Sequence, residues 1–201
     1  TYPLTKGLSD FRQSVAQWIV RRYGLPEEAV QADQHILPCN GSREALFSIA
    51  LAAVDSNEGG RDPIVVIPNP FYQIYEGAAF LAGAVPHFVN AKEENDFLPR
   101  YEDVPEEIFR RTRLLYVCSP GNPIGTVASV KYYQKLIELA DRYDFIIASD
   151  ECYSEIYDSQ PPPGLLQAAW EMGNREFRRC VVFQSLSKRS NMPGARSGFV
   201  A

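Results

Sequence analysis

Seven short apolar runs, separated by stretches of helical periodicity, constrain this chain more than any other feature of its 201 residues. The runs are Ile36 to Cys39, which is weak, Ile64 to Ile67, Val85 to Val89, Leu114 to Cys118, Phe145 to Ala148, Val181 to Phe183, and Phe199 onward. Several are apolar on consecutive residues, the pattern of a strand covered on both faces. Ser9 as N-cap and Asp10 in the positive first turn open a helix whose Phe11, Val15, Trp18 and Ile19 share one side, and Gly24 and Pro26 end it. Further helical stretches run from Arg43 to Val54, Tyr72 to Ala82 and Val130 to Tyr143, the last with Leu136, Ile137 and Ala140 as its buried stripe. Residues 90 to 105 are polar and acidic and read as a surface excursion, while the prolines of Gln160-Pro161-Pro162-Pro163-Gly164 allow that loop only to start the next helix. This alternation predicts an α/β fold with a mostly parallel sheet wrapped by helices on both faces.

Charge narrows the partners. Twenty Lys and Arg against 25 Asp and Glu leave a net charge of −5, which argues against a nucleic-acid or anionic-membrane surface and for small molecules or protein. Hydrophobic residues at 45% and charged residues at 22% exclude global disorder. No stretch approaches the roughly 20 apolar residues that span a bilayer, and Thr1-Tyr2-Pro3-Leu4-Thr5-Lys6 carries no apolar targeting block, so a cytoplasmic location is expected. Cys39, Cys118, Cys152 and Cys180 lie far apart, and His35 and His87 are too few to complete a zinc site; reduced thiols and no metal are expected. The Asn40-Gly41-Ser42 sequon is then a chance match. With no initiator Met and an apolar run at its end, the chain is expected to be a piece of a longer protein.

In open α/β sheets ligands gather outside the carboxyl ends of the strands, so the residues following each run are read together. Asn40-Gly41-Ser42-Arg43 feeds a helix N-terminus, a place for an anion or an ordinary cap by Ser42. Pro68-Asn69-Pro70-Phe71-Tyr72-Gln73-Ile74-Tyr75 brings aromatics that suit either the core or the face of a flat ring. Ser119-Pro120-Gly121-Asn122-Pro123 holds one amide between prolines, and turn chemistry alone also accounts for it. Asp150, at the end of a buried run, requires a cation or several donors, whether as an internal ion pair, an N-cap or a ligand site. Ser185-Leu186-Ser187-Lys188, followed by Arg196, is a solvated basic loop or a site lysine. One ligand would use all of these groups: a phosphorylated pyridine aldehyde, which needs a lysine, a carboxylate at its ring nitrogen, donors to its phenolate oxygen and a cationic cup for its phosphate.

Ser-Pro-Gly-Asn-Pro at 119–123, Ser-Asp-Glu-x-Tyr at 149–153 and Ser-x-Ser-Lys at 185–188 with its following arginine occur in the order of a known family. Over its whole length the chain resembles the large domain of fold-type I, pyridoxal-phosphate-dependent aminotransferases of class I/II, the aspartate aminotransferase superfamily. The resemblance implies a three-layer αβα fold, with residues 1–201 forming the cofactor-binding large domain and the N-terminal segment and small C-terminal domain absent. It implies that Lys188 carries the cofactor covalently and catalyses the proton transfer, and that Asp150 pairs with the ring nitrogen. Asn122 and Tyr153 would contact the ring oxygen and Tyr72 would stack on the ring. The phosphate would lie among Ser42, Arg43, Ser185, Ser187 and Arg196, with Tyr2 reaching the cofactor of the neighbouring subunit of a homodimer.

The segments Tyr2 to Gly7, Pro68 to Ala78 and Ser185 to Asn191 are similar in particular to the succinyldiaminopimelate transaminases, which exchange an amino group between N-succinyl-LL-2,6-diaminopimelate and 2-oxoglutarate in lysine biosynthesis. Ile124 departs from the threonine usual after Asn-Pro. The resemblance leaves open another aminotransferase of the class, a lyase using the same cofactor, or an aminotransferase-like effector-binding module, and implies that these 201 residues alone are inactive.

Overall fold

The computed structural model describes residues 4–55 and 62–201; Tyr2 lies outside them. In chain order the elements are α1 (Ser9–Tyr23), α2 (Ala32–His35), β1 (Leu37–Cys39), α3 (Ser42–Ala53), β2 (Ile64–Asn69), α4 (Gln73–Leu81) and β3 (Val85–Asn90). They continue with α5 (Glu106–Phe109), β4 (Thr112–Cys118), α6 (Val130–Tyr143), β5 (Ile146–Asp150), α7 (Leu165–Glu171), β6 (Cys180–Ser185), α8 (Leu186–Arg189) and β7 (Gly198–Val200). The strands form one sheet in the order β1-β7-β6-β5-β4-β2-β3.

Every neighbouring pair from β6 to β3 is parallel, while β7 runs antiparallel to both β6 and β1. The reversal follows from a short connection, which returns the chain beside the strand it has just left, whereas a parallel neighbour needs a long crossover. It matters for function: the whole β6–β7 connection, with Lys188 and Arg196, stays at the carboxyl end of the sheet. Because β1 is antiparallel to β7, its carboxyl end at Cys39 also points there and delivers Gly41 and Ser42 to the same rim. A side chain at Gly198 would run into the Gln184 carbonyl on β6, so the tight β6–β7 pairing depends on this glycine.

Alternation along the strands divides the core into two layers. Ile64 and Val66 of β2 face one side with α1, α6 and α7, while Val65 and Ile67 face the other with α3 and α4. Both sets are buried, which accounts for the consecutive apolar residues of the sequence. The helices form where their apolar stripes meet these faces: Val15, Ile19 and Tyr23 of α1 are buried, as are Leu136, Ile137 and Ala140 of α6. Gly24 and Asp144 end these two helices in the left-handed conformation.

Three expectations are corrected. The N-cap of α1 is Leu8, with no side-chain hydrogen bond, and Ser9 is the first helical residue. Arg12 donates to the carbonyls of Lys6 and Gly7, so the chain entering α1 is tied from inside the helix instead of by a serine cap. Ser42 does not cap α3 either; Gly41, at φ 92°, is the N-cap, and the Ser42 hydroxyl meets Cys152 Sγ at 3.0 Å. Residues 90 to 105 are not merely a surface excursion, because Tyr101 is fully buried with its hydroxyl on the Tyr116 carbonyl at 2.8 Å, and Val104 is buried beside it. Acidic neighbours on both sides mask these two anchors in composition. The proline loop does lead into a helix, with Gly164 as the N-cap of α7.

Candidate active site

A cavity of about 470 Å³ opens at the carboxyl ends of the strands. The tip of β5 sets its floor: Asp150 is 5% exposed, pairs in register with Cys118 of β4 and Phe183 of β6, and reaches the cavity. Tyr75 of α4 donates its hydroxyl to Asp150 Oδ2 at 2.7 Å, and the Cys152 amide donates to Oδ1 at 3.3 Å. Burial pushes the Asp150 carboxyl above its usual range, and the Cys152 thiol, the Tyr75 hydroxyl and the Cys152 amide pull it partly back. Among the described residues it forms no ion pair, so the cation expected for a strand-end acid is supplied by no residue of the site.

Around that floor stand the other groups. Lys188, on the one-turn α8 that follows β6, places Nζ 5.9 Å from the centre of the Tyr153 ring. Asn122 and Tyr72 line the cavity from the turns after β4 and β2. The turn bearing Asn122 is closed by backbone bonds, Gly121 N–H to Thr126 O at 2.8 Å and Gly125 N–H to Gly121 O at 2.6 Å, so the change to Ile124 leaves it intact. Burial raises the Tyr153 phenol, which therefore remains a donor at neutral pH.

At the opposite rim, Ser42 and Arg43 begin the twelve-residue α3, whose first amides have no partner within the helix. The Ser185 hydroxyl caps α8 by accepting from the Ser187 amide at 3.1 Å, and lies 2.9 Å from the Ser187 hydroxyl. Arg196 Nη2 donates to the Asn40 carbonyl at 3.3 Å and to the Glu44 carboxylate at 3.1 Å. A Cβ on Gly41 would occupy the space of that guanidinium, so the glycine is what lets Arg196 close over the start of α3. Among the described residues no group of three His, Cys, Asp or Glu converges to hold a metal, and no helix is long and apolar enough to cross a membrane.

This donor set fits a phosphorylated pyridine aldehyde. It offers a carboxylate lacking a cation, an amine, an aromatic face, an amide and a phenol, and a rim of hydroxyls, helix amides and an arginine. The description "Aminotransferase class I and II" matches residues 1–201. The chain belongs to this family. Class I and II aminotransferases work with pyridoxal 5'-phosphate, the group the cavity suits.

The chain is 35% identical over 198 residues to an LL-diaminopimelate aminotransferase of Aquifex aeolicus, covering 98% of this chain and 48% of that protein. A second LL-diaminopimelate aminotransferase, from Moorella thermoacetica, is 36% identical over 201 residues, at 98% and 48% coverage. Among solved structures, an aminotransferase of Neisseria meningitidis superposes with a TM-score of 0.93 at 50% identity, covering 100% of this chain and 50% of that one. A Thermus thermophilus protein described as a probable N-succinyldiaminopimelate aminotransferase gives 0.81 at 28% identity, covering 94% and 48%. The chain thus spans about half the length of the relatives it matches.

In this member of the class I and II aminotransferase family, the structure brings every expected site residue except Tyr2 to one cavity. Sequence reasoning missed two features. Cys152 was counted only as a reduced thiol, yet it lines the cavity between Asp150 and Ser42. Glu44, inside the helical stretch that starts at Arg43, is the counter-ion of Arg196; its position in the first turn after Gly-Ser is the available signal. Tyr75 was grouped with Phe71 and Tyr72 as a possible stacking ring, but it is 1% exposed and serves Asp150 through its hydroxyl.

Proposed function

We propose that residues 1–201 are the cofactor-binding large domain of an aminotransferase, and that the complete protein transfers the amino group of N-succinyl-LL-2,6-diaminopimelate to 2-oxoglutarate. The observation that carries the reading is the buried Asp150 carboxylate, without a cation of its own, on the floor of a cavity that Lys188 also lines. When bound, pyridoxal 5'-phosphate supplies an electron-withdrawing ring that makes the Cα–H of an attached amino acid acidic. Asp150 holds the proton on the ring nitrogen and so keeps that withdrawal in force. Asn122 and Tyr153 donate to the ring oxygen, and Tyr72 covers one face of the ring. The amides of Ser42 and Arg43, the hydroxyls of Ser185 and Ser187, and Arg196 hold the phosphate, with Arg196 exchanging its Glu44 partner for the dianion.

Lys188, at the cavity, would be the residue that holds the cofactor covalently. With the cofactor bound, the Lys188 amine would be the group placed to take the proton from Cα as base and to give it back as acid. Tyr2 of a second copy completes the phosphate site, so the active form is a homodimer, working in the cytoplasm. This part of the reading rests on the position of Tyr2 in the family pattern and on no contact within the chain.

The succinylated substrate is supported by the resemblance of the segments around Tyr72 and Lys188 and by the Thermus thermophilus neighbour. The names of the Aquifex and Moorella relatives favour a second reading, LL-diaminopimelate itself as amino donor. Glutamate formation by the complete protein from each donor and 2-oxoglutarate separates the two. The first reading expects kcat/KM at least about tenfold higher with the succinylated donor, equivalent to roughly 1.4 kcal/mol of discrimination. Preference for LL-diaminopimelate establishes the second, and turnover of neither removes both.

A further inference from the structure

The chain devotes an unusual amount of buried aromatic structure to one oxygen atom. Tyr75, in the first turn of α4, is 1% exposed, and its hydroxyl donates to Asp150 Oδ2 at 2.7 Å. Its ring stacks on Tyr116 of β4, with centroids 4.5 Å apart and planes 14° from parallel. Tyr116 is itself fixed by its hydroxyl on the Leu46 carbonyl of α3 at 2.6 Å. Tyr72, which lines the cavity, meets the edge of Tyr75 at 5.9 Å and 88°. A pillar therefore runs from α3 across β4 to α4 and ends on the acid, leaving the Tyr75 hydroxyl no freedom to follow Asp150 if it moves.

The other titratable groups around Asp150 are Cys118 from β4 and Cys152 and Tyr153 from the turn after β5. None is a cation. The Cys152 thiol and the Tyr75 hydroxyl both draw charge from the carboxylate, the hydroxyl from a separate element at 2.7 Å, while the Cys152 amide at 3.3 Å is the weaker donor. Burial and the Asp150 charge both raise the Tyr75 phenol, so it keeps its proton across the physiological range.

We infer that Tyr75 is a positioning residue: it aims Asp150 at the ring nitrogen of the bound cofactor and, by sharing the carboxylate's charge, keeps the shared proton on the ring instead of on the acid. This rests on the reading of Asp150 given above. Without the hydroxyl, Asp150 is more basic, the ring proton shifts toward it, and the ring withdraws electrons less. The nitrogen joining Lys188 to the cofactor then binds its own proton more tightly.

The test uses the complete protein loaded with pyridoxal 5'-phosphate, as wild type, Tyr75→Phe and Tyr116→Phe. The readouts are the pH midpoint of the visible absorption, cofactor affinity by equilibrium dialysis, and kcat and KM separately. Tyr75→Phe is expected to move the midpoint upward, to weaken cofactor binding about tenfold, and to lower kcat by a similar factor with KM nearly unchanged. Tyr116→Phe removes a hydroxyl of the same pillar and is expected to leave the midpoint in place. A Tyr75→Phe protein whose midpoint and kcat match wild type overturns the inference, as does an equal shift in Tyr116→Phe, which would mean general loosening. If Tyr75→Phe does not fold, 3-fluorotyrosine at position 75, a stronger donor, is expected to move the midpoint downward, and an unmoved midpoint overturns it. Wild type that takes up no cofactor overturns the reading of Asp150 itself, a different result from any of these.

Discussion

Asp150 and Glu151 are neighbours in sequence, both buried, and serve opposite ends. Glu151 is fully buried and turns into the core, where it accepts from the Tyr23 hydroxyl at 2.5 Å, the Leu165 amide at 2.8 Å and the Ser149 hydroxyl at 3.0 Å. Those bonds tie α1, β5 and the start of α7 together, and Arg22 lies close enough to favour the charge. Asp150 turns to the cavity with donors from Tyr75 and Cys152 and, among the described residues, no cation. Burial raises both carboxyls, so burial and the direction of the shift do not separate them. The difference is satisfaction: a structural acid has its acceptor capacity filled from inside the fold, and a binding acid keeps part of it facing open space.

That contrast can be broken at several points. The largest effect is expected on the cavity side from Lys188→Ala, with turnover lost by at least about 10⁴-fold, the upper range of a general acid–base group, while the phosphate rim still holds some cofactor. Steady-state rates and dialysis check this, and normal activity would remove Lys188 from the site. Asp150→Asn is expected to lower kcat by roughly 10²–10³-fold with the fold intact, as for loss of a principal electrostatic group. Glu151→Gln should do the reverse. An amide cannot accept from three donors at once, so stability falls by about 1–3 kcal/mol in denaturant titration while cofactor affinity holds.

Smaller effects sharpen the same division. A Cβ at Gly164 would meet the Tyr23 ring at 2.5 Å, so Gly164→Ala is expected to destabilise by roughly 1–3 kcal/mol, again without touching the cofactor. Gly41→Ala, crowding Arg196 and strained at a φ of 92°, should weaken cofactor binding and also destabilise by about 1–3 kcal/mol, so that, unlike Gly164→Ala, it moves both readouts. The smallest effect is in the pH profile of cofactor-free protein. Folded-state values raised above 3.8 for Asp150 and 4.5 for Glu151 mean that the native state binds protons more tightly than the unfolded one. Their contribution is fully present below those unfolded values and is lost as pH rises through the raised native ones. Urea titrations from pH 4 upward should show less of this decline in Asp150→Asn, and an unchanged decline in both that variant and Glu151→Gln would contradict the assignment.

Much of this was legible in the sequence, because consecutive apolar residues report a doubly covered strand and each such run ends in polar residues at one rim. Asp150 announces itself by standing where an unpartnered polar group is expensive, and Lys188 and Asn122 by following a strand run in the sequence. The connections between elements were less legible. Ser9 and Ser42 look like caps in sequence, but capping depends on where the side chain finds a partner, and Ser42 finds Cys152 in the turn after β5. Tyr101 was hidden among acids because composition averages over a window in which one buried ring decides the packing. The partnerships Tyr75–Asp150 and Glu44–Arg196 join residues 75 and 152 positions apart, and no local pattern encodes them.

The central claim is that one strand-end cavity, floored by Asp150, presents Lys188 to the cofactor. Borohydride reduction of the complete protein with pyridoxal 5'-phosphate, followed by peptide mass mapping, tests it directly. A single cofactor adduct on the peptide containing Lys188, strongly diminished in Asp150→Asn and unchanged in Glu151→Gln, is the result expected. Adducts spread over Lys92, Lys131 and Lys135 with Lys188 unlabelled would contradict it.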